Sequence, residues 1–219
     1  MQTPLGRLYI HGGGRRGASA WPSHADAGGE FVSFDERSSV PAQVELLARR
    51  PRDSLVFAHS IGAVPAVLAA RVMRPKGLVL VEPALYDIAR GRPTIERHVG
   101  IVTEARAQAD AGNLRGFWAI LRPLMFGGEF DAARWNDERP LAERWAETNL
   151  PWGHGVREDV LDGIPTLVVT GGWNDEYEVI AGLLEERGAR HVVLPGAQHR
   201  PQDVAGFAAL VAEFQTTLH

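Results

Sequence analysis

The sequence predicts an α/β fold: an open, mostly parallel sheet with helices on both faces and a helical insertion. Three observations carry this. Short continuous apolar runs recur along the chain, each stopped by Gly, Pro or a polar residue, as strands buried on both faces require. Apolar stripes of helical spacing fall between them. Strand and helix alternate, the order that builds a parallel sheet. With 219 residues, 45% of them hydrophobic and 23% charged, the chain has the size and composition of one domain, residues 1–219.

The strands are expected at Leu8-Tyr9-Ile10, Phe31 to Phe34, Leu55 to Ala58, Leu78 to Val81, Leu167 to Val169 and His191 to Leu194. Ser39 can cap a helix with Pro41 in its first turn. An alanine-rich helix from Ile61 to Met73 joins the third and fourth strands. Val179, Ile180, Leu183 and Leu184 form a stripe that ends at Gly188, and Asp203 can cap a last helix carrying Phe207, Leu210 and Phe214. From Glu82 to Pro165 no strand signal occurs. Helical stripes and four tryptophans (Trp118, Trp135, Trp145, Trp152) fill that stretch, so residues 86–163 read as a helical insertion suited to a cap or a substrate wall.

Composition removes several function classes. The absence of cysteine excludes disulfides, thiol catalysis and cysteine-held metals. No His-Glu-x-x-His or His-x-His spacing occurs, so neither a metal nor another cofactor is expected. Basic residues, Lys76 the one lysine among 23, are scattered among 27 acidic ones, which argues against a nucleic-acid partner. No apolar run reaches membrane length and no secretory signal opens the chain, so a cytoplasmic protein is expected.

Three motifs carry chemistry. In Ala58-His59-Ser60-Ile61-Gly62, a serine stands between an apolar run and a helix, with small residues two positions to each side. A sharp strand-to-helix turn needs those small neighbours, projects the hydroxyl, and brings the Ile61 N–H toward a developing oxyanion. In His11-Gly12-Gly13-Gly14, just past the first strand, bare backbone can approach a ligand, with Gly13 or Gly12 as a second oxyanion donor. In Gly196-Ala197-Gln198-His199, a loop presents a histidine, the side chain suited to take and return a proton near neutral pH. His59 is expected to orient the turn. The base needs an orienting carboxylate. Asp175, past the strand ending at Thr170, is the first candidate, with an N-cap as its other role; Glu82, at the end of the fourth strand, is the second.

Taken together, His11 to Gly14, Ala58 to Gly62, Gly171-Gly172-Trp173-Asn174-Asp175 and Gly196 to His199 resemble the α/β-hydrolase superfamily. The chain order Ser, acid, His is the superfamily's order. The resemblance implies Ser60 as nucleophile, His199 as base, and Ile61 and Gly13 as oxyanion donors. It implies a sheet two strands short at the N-terminal side, with Ala58 where the first elbow glycine usually stands. For the acid, counting from Gly172 reaches Asp175 and counting from Gly171 reaches Asn174, with Glu82 the alternative. The implied activity is a cofactor-independent serine hydrolase acting on a small, largely apolar ester or related acyl compound, with Trp21, Trp118, Trp152 and Trp173 as substrate-binding candidates.

Two competing readings use the same residues. The scaffold also hosts lyases, cofactor-free oxygenases and ligand binders without turnover. Gly12, Gly14 and Gly17 also spell the dinucleotide-binding fingerprint, with Asp35 eighteen residues beyond. That reading needs a helix to open at the glycines, and no apolar stripe of adequate length precedes Phe31.

Overall fold

The structure is a computed structural model that describes residues 5–35 and 37–218. Strands β1 (Arg7–Ile10), β2 (Glu30–Val32), β3 (Leu55–His59), β4 (Gly77–Val81), β5 (Thr166–Thr170) and β6 (Arg190–Val193) form one sheet in the order β2-β1-β3-β4-β5-β6. Every neighbouring pair is parallel. Each of the six predicted apolar runs overlaps one strand. The helices are α1 (Val40–Ala48), α2 (Ala63–Met73), α3 (Pro93–Asp110), α4 (Leu114–Phe126), α5 (Trp135–Glu147), α6 (Asp175–Glu186) and α7 (Gly206–Thr216). None of the described helices is long and apolar enough to cross a membrane.

Burial explains the continuous apolar runs. All residues of β3, β4 and β5 are buried, so both faces of the sheet centre are covered by helices. On one face the register aligns Tyr9 with Phe57, Phe57 with Val79, and Val79 with Leu167. These side chains share a core with Phe207, Val211 and Phe214 of α7. Removing each large apolar side chain from water contributes about 1.5–3 kcal/mol.

Of the three helix ends the sequence predicts from capping residues, two hold. The Ser39 side chain accepts from the Ala42 N–H at the start of α1. Gly188, just past α6, takes a φ of +92°, a left-handed conformation that costs glycine little. Asp203 does not cap the last helix. Its carboxylate is engaged by Arg15 at 2.9 Å and Arg200 at 2.7 Å, and α7 starts later, at Gly206.

The chain divides into two packed units: Met1–Ala89 with Leu150–His219, and Arg90–Asn149. The first holds the sheet. The second holds α3, α4 and α5 and lies in the chain between β4 and β5. Inside the second unit Trp118 is 1% exposed, and its indole N–H donates to Glu138 at 2.7 Å. Arg122 also pairs with Glu138, at 3.2 Å. Trp118, expected in a substrate wall, is thus enclosed within its own unit.

Topology fixes where chemistry can gather. From β1 the chain goes to β2 on one side and then returns to β3 on the other. The carboxyl ends of β1 and β3 therefore flank a switch point, where ligands bind in open parallel sheets. Between β1 and β2 the helical segments are the single turns Gly17–Ala20 and Pro22–His24. The fingerprint at Gly12, Gly14 and Gly17 consequently lacks the helix that a pyrophosphate requires, which removes the dinucleotide reading.

Three histidines are buried in this unit: His11 at 7% exposure, His24 at 5% and His59 at 4%. Burial pushes each below its ordinary value of 6.5, His59 most strongly because it is the most deeply enclosed, with His199 beside it adding to the shift. A histidine held neutral binds its proton more readily when the chain unfolds. The stability it contributes is complete above pH 6.5 and is lost as pH falls through that value toward the folded one. Unfolding midpoints in urea should therefore drop steadily between pH 7.5 and pH 5. A flat or rising profile would show that these histidines are not held neutral.

Candidate active site

The site begins at the end of β3. The fully buried strand terminates at His59, and Ser60 takes a φ of +54° before α2 begins at Ala63. A non-glycine residue in this region costs on the order of 1–3 kcal/mol and persists only where its surroundings hold it. Two glycines leave the room. A Cβ on Gly62 would lie 2.3 Å from the His11 carbonyl oxygen, and one on Gly12 would lie 2.9 Å from Ser60 Cβ. Gly62, one of the small residues expected around the serine, is required by contact with the backbone just past β1.

His199 reaches Ser60 from the loop after β6. Its Nε2 is 3.1 Å from Ser60 Oγ, and its Nδ1 is 3.4 Å from Glu82 Oε2. Glu82 stands just past β4 with a φ of +46° and is 0% exposed. Its carboxylate also accepts from the Gly171 N–H at 2.6 Å and from the Trp173 indole N–H at 3.1 Å. A buried carboxylate with three donors is satisfied as an anion. Gln198, immediately before His199, has a φ of +48°, and its carbonyl oxygen would lie 2.1 Å from a Cβ on Gly171. The glycine after β5 thus lets the histidine loop and Glu82 close on one point.

Asp175, the first sequence candidate for the carboxylate, is not at this point. It is the first residue of α6 and is exposed. Asn174 caps that helix, its side chain accepting from the Glu176 N–H at 2.8 Å. Local capping chemistry fixes both residues at the helix start, and Glu82, from the strand beside β3, fills the place next to His199.

His59 supports the arrangement from below. Its Nε2–H donates to the His199 carbonyl at 2.8 Å, and the two rings lie 4.8 Å apart. His11 organises the opposite side. Its Nδ1–H donates to the Gly12 carbonyl at 2.7 Å, and its Nε2 accepts from the Phe34 N–H at 3.4 Å. Since N–H and C=O of one trans peptide point oppositely, fixing the Gly12 carbonyl toward His11 turns the Gly13 N–H away from that ring. Ile61 follows Ser60 at the start of the helical segment, where N–H groups lack helical acceptors.

The remaining tryptophans separate by position. Trp21 is 0% exposed and packs on Tyr9 and Phe57, so it belongs to the core. Trp173 is 48% exposed, with its ring 5.9 Å from His199. Trp152 packs on Tyr86 at 5.8 Å. A phenol that no sequence motif singled out also stands beside His199. Tyr177 is buried, and its ring lies 5.1 Å from His199. Burial, with the Glu82 and Glu176 charges, pushes this phenol well up. Tyr86 in turn donates to Glu176 Oε2 at 2.5 Å. The signal was present: Tyr177 extends the stripe of Ile180 and Leu184 by one turn. Among the described residues no three His, Asp or Glu side chains are grouped to hold a metal ion.

Comparison with known proteins agrees with this geometry. The model of the Alpha/beta hydrolase family matches residues 8–213. No curated protein matches the sequence significantly. Among solved structures, an alpha/beta hydrolase from Sphaerobacter thermophilus is similar with a TM-score of 0.61 at 18% identity, over 96% of this chain and 92% of that one. A carboxylesterase structure from Nitrososphaera gargenis gives 0.60 at 13% identity, over 98% and 90%. A thermophilic esterase from Thermogutta terrifontis gives 0.57 at 16% identity, over 99% and 91%. At these identities the likeness is one of fold. With the family match spanning nearly the whole sheet and the strained serine at its switch point, the chain belongs to the alpha/beta hydrolase family.

Proposed function

We propose that this protein is a serine hydrolase that cleaves a small, largely apolar carboxylic ester or related acyl compound. The observation that carries the reading is the continuous contact from Ser60 Oγ through His199 to the buried carboxylate of Glu82. Glu82 holds the Nδ1–H of His199, which leaves Nε2 free to accept the Ser60 proton. As that proton moves, Oγ attacks the carbonyl carbon and the carbonyl electrons collapse onto oxygen. The Ile61 N–H and the Gly13 N–H, with Gly12 giving backbone access, stabilise the oxyanion; one such donor is worth about 3–4 kcal/mol. The oxyanion reforms the carbonyl, the leaving oxygen takes the proton from His199, and an acyl-serine remains. Water, deprotonated by the same histidine, releases the acid.

Trp173 and Trp152 are the tryptophans proposed to meet substrate, since both lie toward the residues around His199 and Tyr86. The chain position of the helical unit, between β4 and β5, supports reading it as a cap. The esterase names among the similar structures agree with acyl chemistry. No cofactor takes part in this scheme.

A fluorophosphonate should add once to the protein by intact mass, and Ser60→Ala should abolish the adduct. Ser60→Ala and His199→Ala should each reduce hydrolysis of short-chain esters by on the order of 10³-fold or more while remaining folded. Wild-type hydrolysis in either variant would overturn the assignment.

A further inference from the structure

Beside the turn that follows β5 lies a polar cluster that the proposed reaction does not use. Thr170, the last residue of β5, is 0% exposed. Its hydroxyl donates to Glu178 Oε2 at 3.2 Å and lies 2.7 Å from His191 Nε2. The single hydroxyl proton goes to Glu178, so the Thr170 oxygen accepts from the Nε2–H of His191. The second oxygen of Glu178, Oε1, accepts from the Gly172 N–H at 3.2 Å.

Two carboxylates therefore hold one turn. The Gly171 N–H goes to Glu82 Oε1 at 2.6 Å, and the next N–H, of Gly172, goes to Glu178. The Trp173 indole N–H returns to Glu82, at Oε2, 3.1 Å away. That Oε2 is the oxygen that His199 Nδ1 meets at 3.4 Å. A pair of glycines is a permissive backbone, and Gly172 has a φ of +66°, so the neighbours of this turn must impose its geometry. Glu178 does so from the first turn of α6, a rigid element whose cap, Asn174, directly follows Trp173.

We propose that Glu178 is a positioning residue for the reaction. By holding Thr170 and Gly172 it fixes the turn from which Gly171 and Trp173 reach Glu82, and so aims Glu82 Oε2 at His199. This deepens the serine-hydrolase reading and rests on it. Glu178 transfers no proton; it acts through the turn and through Glu82.

The proton count predicts which substitutions matter. In Glu178→Gln the amide oxygen can still accept from Gly172, and the amide nitrogen can donate to the Thr170 oxygen, whose own proton then turns to His191 Nε2. In Glu178→Ala both contacts are lost. On one short-chain ester, kcat should fall about 10-fold in Glu178→Ala and less than about 3-fold in Glu178→Gln. Trp173→Phe, at an exposed position, removes the donor that the turn delivers and should lower kcat by a similar 10-fold factor. With Glu82→Gln already in place, Glu178→Ala and Trp173→Phe should each cost less than about 2-fold more, because both act through that carboxylate. A merely structural residue would lower kcat in both backgrounds alike. Urea unfolding midpoints check that each variant is folded. An equal loss in Glu178→Gln, a loss that persists undiminished beside Glu82→Gln, or wild-type kcat in Glu178→Ala or Trp173→Phe would overturn the inference and leave the triad standing. A wild-type protein that neither labels with a fluorophosphonate nor turns over the ester would overturn the triad reading, and the inference with it.

Discussion

The site depends on the left-handed backbone at Ser60. A fully buried parallel strand must stop and reverse into a helix within one residue, and the φ of +54° does that. The turn is possible because Gly12, in the loop after the first flanking strand, and Gly62 leave room where a Cβ would lie 2.9 Å from Ser60 Cβ and 2.3 Å from the His11 carbonyl oxygen. Strain at a single residue is stable only where packing on both sides over-determines it. Here β1 and β4 supply that packing, and the Ala84 N–H bonds the Ser60 carbonyl at 3.1 Å.

The same device recurs around the site. Ser60, Glu82 and Gln198 are three of the five described non-glycine residues with positive φ, and all three stand just beyond strands or beside His199. Each re-aims the chain so that a side chain or its successor points at one place. Glu82, just past the strand next to the nucleophile, places the proposed orienting carboxylate where it is fully buried. The donors of Gly171 and Trp173 keep its carboxylate compensated where water cannot. The proposed reaction centre thus draws on the ends of β1, β3 and β4 and on the loop after β6, with Tyr177 of α6 packed beside His199.

Much of the fold was legible because its signals are one-dimensional. Strands buried on both faces leave continuous apolar runs, and all six predicted runs meet a strand. The serine elbow was readable because a turn that tight restricts residue size at fixed offsets. The placement of the carboxylate was not, because Asp175 and Glu82 both follow strands and chain order admits either. Only the register of β4 beside β3 brings Glu82 next to Ser60, and the cap at Asn174 turns Asp175 outward. A charged residue ending a wholly apolar strand, Leu78 to Val81, was the available clue. Tryptophan count misled in the other direction. Trp21 and Trp118 are large enough to build cores, and whether an aromatic faces a core or a pocket is not written in its spacing.

The most direct test of the account compares kcat for Glu82→Gln and Asp175→Asn on the same short-chain ester. If Glu82 orients His199, the first variant should lose on the order of 10²–10⁴-fold in kcat and the second less than about 3-fold. A large loss in Asp175→Asn with a small one in Glu82→Gln would contradict it.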